Sequence, residues 1–128
     1  MNCTGIDHLV LTVEDIDRTC AFYADVLGAE VVTFDEGRTA LHFGDQKLNL
    51  HPAGDEYEPR ADRPTPGSGD FCLLTDTDIE TVENRLREAD VEIVNGPVEK
   101  TGAVGRLRSV YVRDPDDNLV EIATYQRE

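Results

Sequence analysis

Aliphatic and β-branched residues crowd Asp7-His8-Leu9-Val10-Leu11-Thr12-Val13, which predicts a strand, and Glu14-Asp15 then set negative charge where a helix begins. From Ile16 through Phe22, Tyr23, Val26 and Leu27 the apolar positions recur at helical spacing, and Gly28 supplies a stop. Three short strands follow at Glu30 to Phe34, Thr39 to Phe43 and Lys47 to His51, with Asp35-Glu36-Gly37 and Gly44-Asp45 as their turns. Residues 52–68 hold Pro52, Pro59, Pro64 and Pro66 with Gly54 and Gly67, a composition that denies regular structure and predicts a linker or flap. The pattern then restarts. Asp70 to Thr75 reads as a strand, Asp76-Thr77-Asp78 as a capping cluster, and Ile79 to Ala89 as a helix with Val82, Leu86 and Ala89 on one stripe. Strands at Val91 to Val94, Leu107 to Val112 and Leu119 to Thr124 complete the series, with Asp114-Pro115-Asp116-Asp117-Asn118 as the last turn.

Sliding the first half by 62 positions lays His8 on Asp70 and Leu9-Val10-Leu11 on Phe71-Cys72-Leu73. An offset of 72 lays Leu48-Asn49-Leu50 on Val120-Glu121-Ile122. The chain therefore reads as a divergent duplication of one supersecondary unit, and two copies are too few for a solenoid. The expected fold is α+β: two βαβββ modules, residues 1–51 and 69–128, joined by 52–68 in a single domain whose 128 residues suit one core.

Charge narrows the range of partners. Lysine and arginine total 12 against 27 acidic residues, a net charge of -15 that repels phosphate backbones and anionic lipid, so neither nucleic acid nor membrane is an expected partner. The acids run along the whole chain, which predicts a solvated surface of the kind that stays soluble in a high-salt cytoplasm. No apolar run approaches the roughly 18 residues that span a bilayer, and no basic start or apolar h-region precedes the first strand; the expectation is a cytoplasmic protein. Cys3, Cys20 and Cys72 are odd in number and widely spaced, which fits neither a disulfide framework nor a thiolate zinc site.

Strand alternation sends residues two apart to the same face. If Leu9, Leu11 and Val13 pack under the helices, then His8, Val10 and Thr12 face the other way, into a cup. By the same parity Lys47, Asn49 and His51, Asp70 and Cys72, and Leu119 and Glu121 join them. A carboxylate set between Val120 and Ile122 is costly to bury unless a cation, a proton or hydrogen bonds neutralise it. Two imidazoles and a carboxylate on adjoining strands suit a borderline divalent ion, Zn, Ni, Co, Mn or Fe(II), with positions left open for water and substrate. His8, His51 and Glu121 are the candidate ligands, with Asp70 a fourth, and Glu121 is also the candidate catalytic group. A structural reading stands beside this one: His8 as a hydrogen-bonded strand-end residue, His51 exposed before a proline, and Glu121 paired with Arg108 or Arg113. Arg106 and Arg108 alternate on one strand and would either fork onto an anionic substrate group or pair with surface carboxylates. Asn49 and Tyr111 are further candidate substrate contacts, and His42 shares the cup parity. Gly102-Ala103-Val104-Gly105 lacks the lysine and hydroxyl of a phosphate loop, and no GxSxG elbow occurs.

Three segments carry a family resemblance: Ile6 to Val13; Phe22-Tyr23 with Leu27-Gly28; and Arg113-Asp114-Pro115-Asp116-Asp117-Asn118-Leu119-Val120-Glu121. Together they resemble the vicinal oxygen chelate superfamily, which includes glyoxalase I, fosfomycin and bleomycin resistance proteins and extradiol dioxygenases. Val31 to Phe34, Gln46 to His51 and Pro64 to Ser68 look most like the small glyoxalase-domain proteins of the glyoxalase domain-containing protein 5 and virulence-associated type. The resemblance implies paired βαβββ modules in an incomplete barrel around a divalent metal, a small-molecule substrate, and a homodimer whose sites can include both chains. The family's first-strand ligand falls on His8 and its last-strand carboxylate on Glu121. Its frequent fifth-strand histidine falls on Asp70, and the fourth-strand glutamate of glyoxalase I falls on Asn49, with His51 two residues further on. The activities implied are a glyoxalase-like isomerisation, an extradiol-type dioxygenation, or ligand sequestration without chemistry.

Overall fold

The structure is a computed structural model that describes residues 1–127, and the chain divides into two compact units, 1–67 and from Ser68 onward. In the first unit β1 (His8–Val13) leads into α1 (Ile16–Ala21), which runs on as a π-helical turn over Phe22–Val26; β2 (Glu30–Phe34), β3 (Arg38–Phe43) and β4 (Gln46–Pro52) follow. The second unit repeats the order with β5 (Asp70–Leu74), α2 (Ile79–Glu88), β6 (Asn95–Thr101), β7 (Arg106–Arg113) and β8 (Leu119–Tyr125). Each unit is a βαβββ module with an open four-stranded sheet, ordered β1-β4-β3-β2 and β5-β8-β7-β6. The first strand of each module pairs parallel with the fourth, and the remaining pairs are antiparallel. A parallel neighbour requires a crossover, which the helix supplies.

Local chemistry accounts for the helix ends. Asp15 Oδ1 accepts from the Arg18 N–H at 2.9 Å, a side-chain cap on α1. Gly28 adopts φ 78°, a conformation open to glycine, and lets the Ala29 N–H reach back to the Tyr23 carbonyl at 2.9 Å. Beneath α1, Tyr23, Val13, Leu41 and Leu50 are all but fully buried. In the second module Ile79, Val82 and Leu86 form the buried stripe of α2 and lie over the apolar face of Val110, Val112, Val120 and Ile122. Each such side chain contributes about 1.5–3 kcal/mol by leaving water.

One strand departs from the expected placement. Val91 to Val94 is not a strand; β6 is Asn95–Thr101 and contains Gly96-Pro97. Its position explains the discrepancy, because β6 is a sheet edge whose register shifts between Asn95 and Val98, where a residue without an N–H does no damage to the ladder. Gly96 sits at φ 98°, and a Cβ there would strike the carbonyl oxygen of Ser109. The turn at Asp114 to Asn118 is a buried hydrogen-bonded knot. Asp114 accepts from the N–H groups of Asp116 and Asn118, the Asn118 amide donates to Asp114 Oδ2 at 2.8 Å, and Asn118 Oδ1 accepts from the Gly69 N–H at 2.7 Å. That knot ties the start of β8 to the residue before β5.

Exposed carboxylates occur in both units, from Asp7, Glu14 and Asp17 to Glu88, Asp90 and Glu92. Among the described residues no helix is long and apolar enough to cross a membrane.

Candidate functional site

Each sheet has one face under its helix and one open face, and the open faces collect the polar residues. In the first module the register pairs His8 with Lys47, Val10 with Asn49 and Thr12 with His51. His8 is exposed, and its Nδ1 lies 2.8 Å from Asp7 Oδ1, an interaction that holds the Asp7 carboxyl below the usual range. Asn49 Oδ1 is buried with no donor within reach. His51 is buried and meets the ring of Tyr57 edge to face at 5.2 Å between centroids. Burial, and then the charge of Arg38, push the His51 imidazole below its ordinary pKa, so it is neutral at pH 7.

His8 and His51 do not converge. The residue beside His51 is Thr12, four positions past His8 along β1, which at strand rise is about 13 Å. Asn49 lies one same-face step from the level of His8, about 7 Å along the strands. The expected trio therefore loses His51 as a co-ligand of His8, and the acceptor next along the strand from His8 is the amide oxygen of Asn49. Among the described residues, no three His, Cys, Asp or Glu side chains gather into a metal-holding group.

In the second module Glu121 occupies the middle of a row, with Cys72 on one side and Tyr111 on the other. The Ser109 hydroxyl, fully buried, donates to Glu121 Oε2 at 2.6 Å. Burial and the neighbouring Glu121 carboxylate push the Tyr111 phenol up to about 12. The same two causes push the Cys72 thiol up to about 11, although the residue keeps access to solvent. Both groups are thus protonated donors at neutral pH. Asp70, opposite Leu119, is exposed one same-face step from Cys72. Glu121 finds the neutralising partners that its apolar strand demands in hydroxyls rather than in Arg108 or Arg113.

Arg106 and Arg108 do not belong to this face. Ser109 and Tyr111 share the open side with Glu121, so alternation turns Arg106 and Arg108 to the helix side. There Arg108 pairs with Glu80 of α2 at 3.1 Å, and Arg106 with Glu99 of β6 at 2.7 Å. On this open face the Lys100 ammonium lies 5.8 Å from the centre of the Tyr111 ring, and alternation places Arg113 on the same side. The first module has two such cations of its own. Arg38 stacks over Tyr57 at 4.4 Å, and Lys47 Nζ sits 4.0 Å over the Phe34 ring. Sequence reading missed Ser109, Arg38 and Tyr57. Parity from Tyr111 would have found Ser109, whereas Tyr57 lies in the proline-rich segment where no periodicity exists to place it.

Comparison with known proteins agrees with this architecture. Residues 5–122 match the profile of the Glyoxalase/Bleomycin resistance protein/Dioxygenase superfamily. The virulence protein STM3117 of Salmonella typhimurium is 56% identical over 120 residues, covering 94% of this chain and 83% of that protein. Its crystal structure superposes with a TM-score of 0.96 over 98% of this chain and 100% of its own. The glyoxalase domain-containing protein RDO1 of Mycosarcoma maydis is 48% identical over 98% of this chain and 71% of its own length. A lactoylglutathione lyase from Agrobacterium tumefaciens is more distant, at 26% identity and a TM-score of 0.73 over 97% of this chain and 96% of its own.

Proposed function

This chain belongs to the Glyoxalase/Bleomycin resistance protein/Dioxygenase superfamily, and from that premise we propose a divalent-metal-dependent enzyme of glyoxalase-like chemistry, with His8 and Glu121 as ligands of one ion. The observation that carries the reading is the setting of Glu121: a carboxylate between buried Val120 and Ile122, turned to the open face, with one oxygen fixed by a buried serine. Ser109 holds Oε2 and the Tyr111 phenol bonds the same carboxylate, whose remaining lone pairs are those offered to a cation or a proton. The donor set suits a borderline ion: an exposed imidazole at His8, the carboxylate of Glu121, and an amide oxygen at Asn49 that lacks a donor. Asp70, at the place in its module that His8 holds in the other, is a further oxygen donor. When bound, the ion supplies a Lewis acid that stabilises negative charge on a substrate oxygen.

The chain's own groups provide the rest. Glu121 accepts a proton from carbon beside a carbonyl and returns it, which is general-base work. Tyr111, protonated at neutral pH, donates a hydrogen bond to the oxygen where charge develops. Asn49 accepts from a substrate hydroxyl or holds the ion through its amide oxygen. The protein acts on a small molecule as a homodimer. Elemental analysis of untagged protein and of Glu121→Gln tests this directly. The wild type carries close to one divalent ion per chain and the variant loses it; a variant with undiminished metal contradicts the proposal.

A further inference from the structure

On the open face of the first module, Arg38 and Lys47 form no close ion pair among the described residues, and Lys47 reaches a carboxylate, Asp7, only through its field. Arg60, Arg63, Arg87, Arg106 and Arg108 each pair with an acidic side chain, as expected where 27 acids outnumber 12 bases. Among the described residues no carboxylate pairs with Arg38 or Lys47, and both are only half-exposed. Each lies against an aromatic ring instead. Stacking on Tyr57 holds the Arg38 guanidinium by its face and leaves the N–H groups in its plane free to donate. Lys47 reaches over Phe34, the residue paired with Arg38 across β2 and β3. The register that pairs Thr39 with Leu50 carries Arg38 alongside His51, and Thr12 lies on the far side of His51. Glu56 also acts on His51 electrostatically, but one of its oxygens is taken by the Gly54 N–H at 2.8 Å.

We propose that Arg38 and Lys47, with the His51 ring beside Arg38, bind the oxyanion group of the substrate, a carboxylate or a phosphate. The proposal rests on reading the open faces as a small-molecule site and adds the substrate's charge to it. A guanidinium fixed in one plane offers a carboxylate or phosphate oxygen pair two parallel hydrogen bonds, and in a strongly acidic protein cations held on rings rather than in ion pairs are a local attraction for an anion. The role expected of Arg106 and Arg108 thereby passes to residues of the other module. Tyr57 gives residues 52–67 a part in this: its ring is the platform for Arg38 and the wall for His51.

The test uses the 128-residue chain stripped of metal with a chelator, so that it does not depend on the metal reading. Inorganic phosphate and acetate are titrated separately while the Arg38 side-chain N–H and the His51 ring are followed by NMR. The expected result is saturable shifts at these two residues for at least one of the two anions, weakened about tenfold in Arg38→Gln and less in Lys47→Gln. Arg87→Gln, on the outer surface of α2, leaves the titration unchanged. Shifts that never saturate, or that are equal in Arg38→Gln and wild type, overturn the proposal. Lys47→Gln keeps the Tyr57 stack and so keeps the test decisive if Arg38→Gln fails to fold. Failure here in a chain that takes up metal when it is supplied overturns only the anion site, whereas anion binding by a chain that never takes up metal overturns only the metal reading.

Discussion

Asn49 and Glu121 hold the same place in their modules, mid-way along a fourth strand that runs parallel to the first, and their surroundings differ. Across the antiparallel pair Glu121 faces Tyr111, and Asn49 faces Ala40. The phenol puts a hydroxyl beside one residue; the methyl leaves the other's amide oxygen buried and unpartnered. Two positions earlier on the same strands, Ser109 in the second module corresponds to Arg38 in the first. One supplies a short hydroxyl that pins a carboxylate, the other a long cation that reaches a tyrosine. His8 and Asp70 open the two first strands. The two modules therefore share positions and differ in chemistry: Arg38, Lys47 and an orphan acceptor on one face, Glu121 with hydroxyl donors and Lys100 on the other.

Several substitutions break or sharpen that contrast. The largest effect belongs to Asn118→Ala, which leaves the buried Asp114 carboxylate and the Gly69 N–H short of a partner; a loss of about 3 kcal/mol, read by denaturant melting, is expected in a protein whose first module is untouched. Next is Ser109→Ala. It frees Glu121 without removing it, so metal affinity falls about 10- to 100-fold with the amide spectrum otherwise preserved. An unchanged affinity would mean that the serine serves packing alone. The smallest effect is a pH dependence. Because burial and Arg38 lower the folded pKa of His51, the unfolded chain binds its proton more readily, and stability falls as pH drops below the ordinary value of 6.5. With Arg38, Tyr57 and Glu56 as neighbours left in place, His51→Gln flattens the thermal midpoint between pH 7 and 5.5 relative to wild type.

Periodicity and duplication made most of the fold legible, because seven strands and two helices announce themselves by alternation or by a stripe such as Val82 and Leu86. Strand β6 escaped because Gly96 and Pro97 are read as breakers, and only its place at a sheet edge makes them harmless. Parity likewise selected the faces of His8, Asn49, His51, Asp70 and Glu121. It could not say how far apart along the strands His8 and His51 lie, since that depends on the β1–β4 register. The same limit left Arg106 and Arg108 open between a substrate contact and the surface pairing they make. Their alternation was plain, but their face followed only once Tyr111 was known to oppose Glu121.

The central claim is that His8 and Glu121 serve one ion, and a titration with Mn(II) tests it most directly. Paramagnetic broadening that removes the His8 ring and Glu121 side-chain signals together, and is complete near one equivalent of metal, is the result this account predicts. Broadening that reaches one of them without the other, or that grows only along the exposed carboxylates, would contradict it.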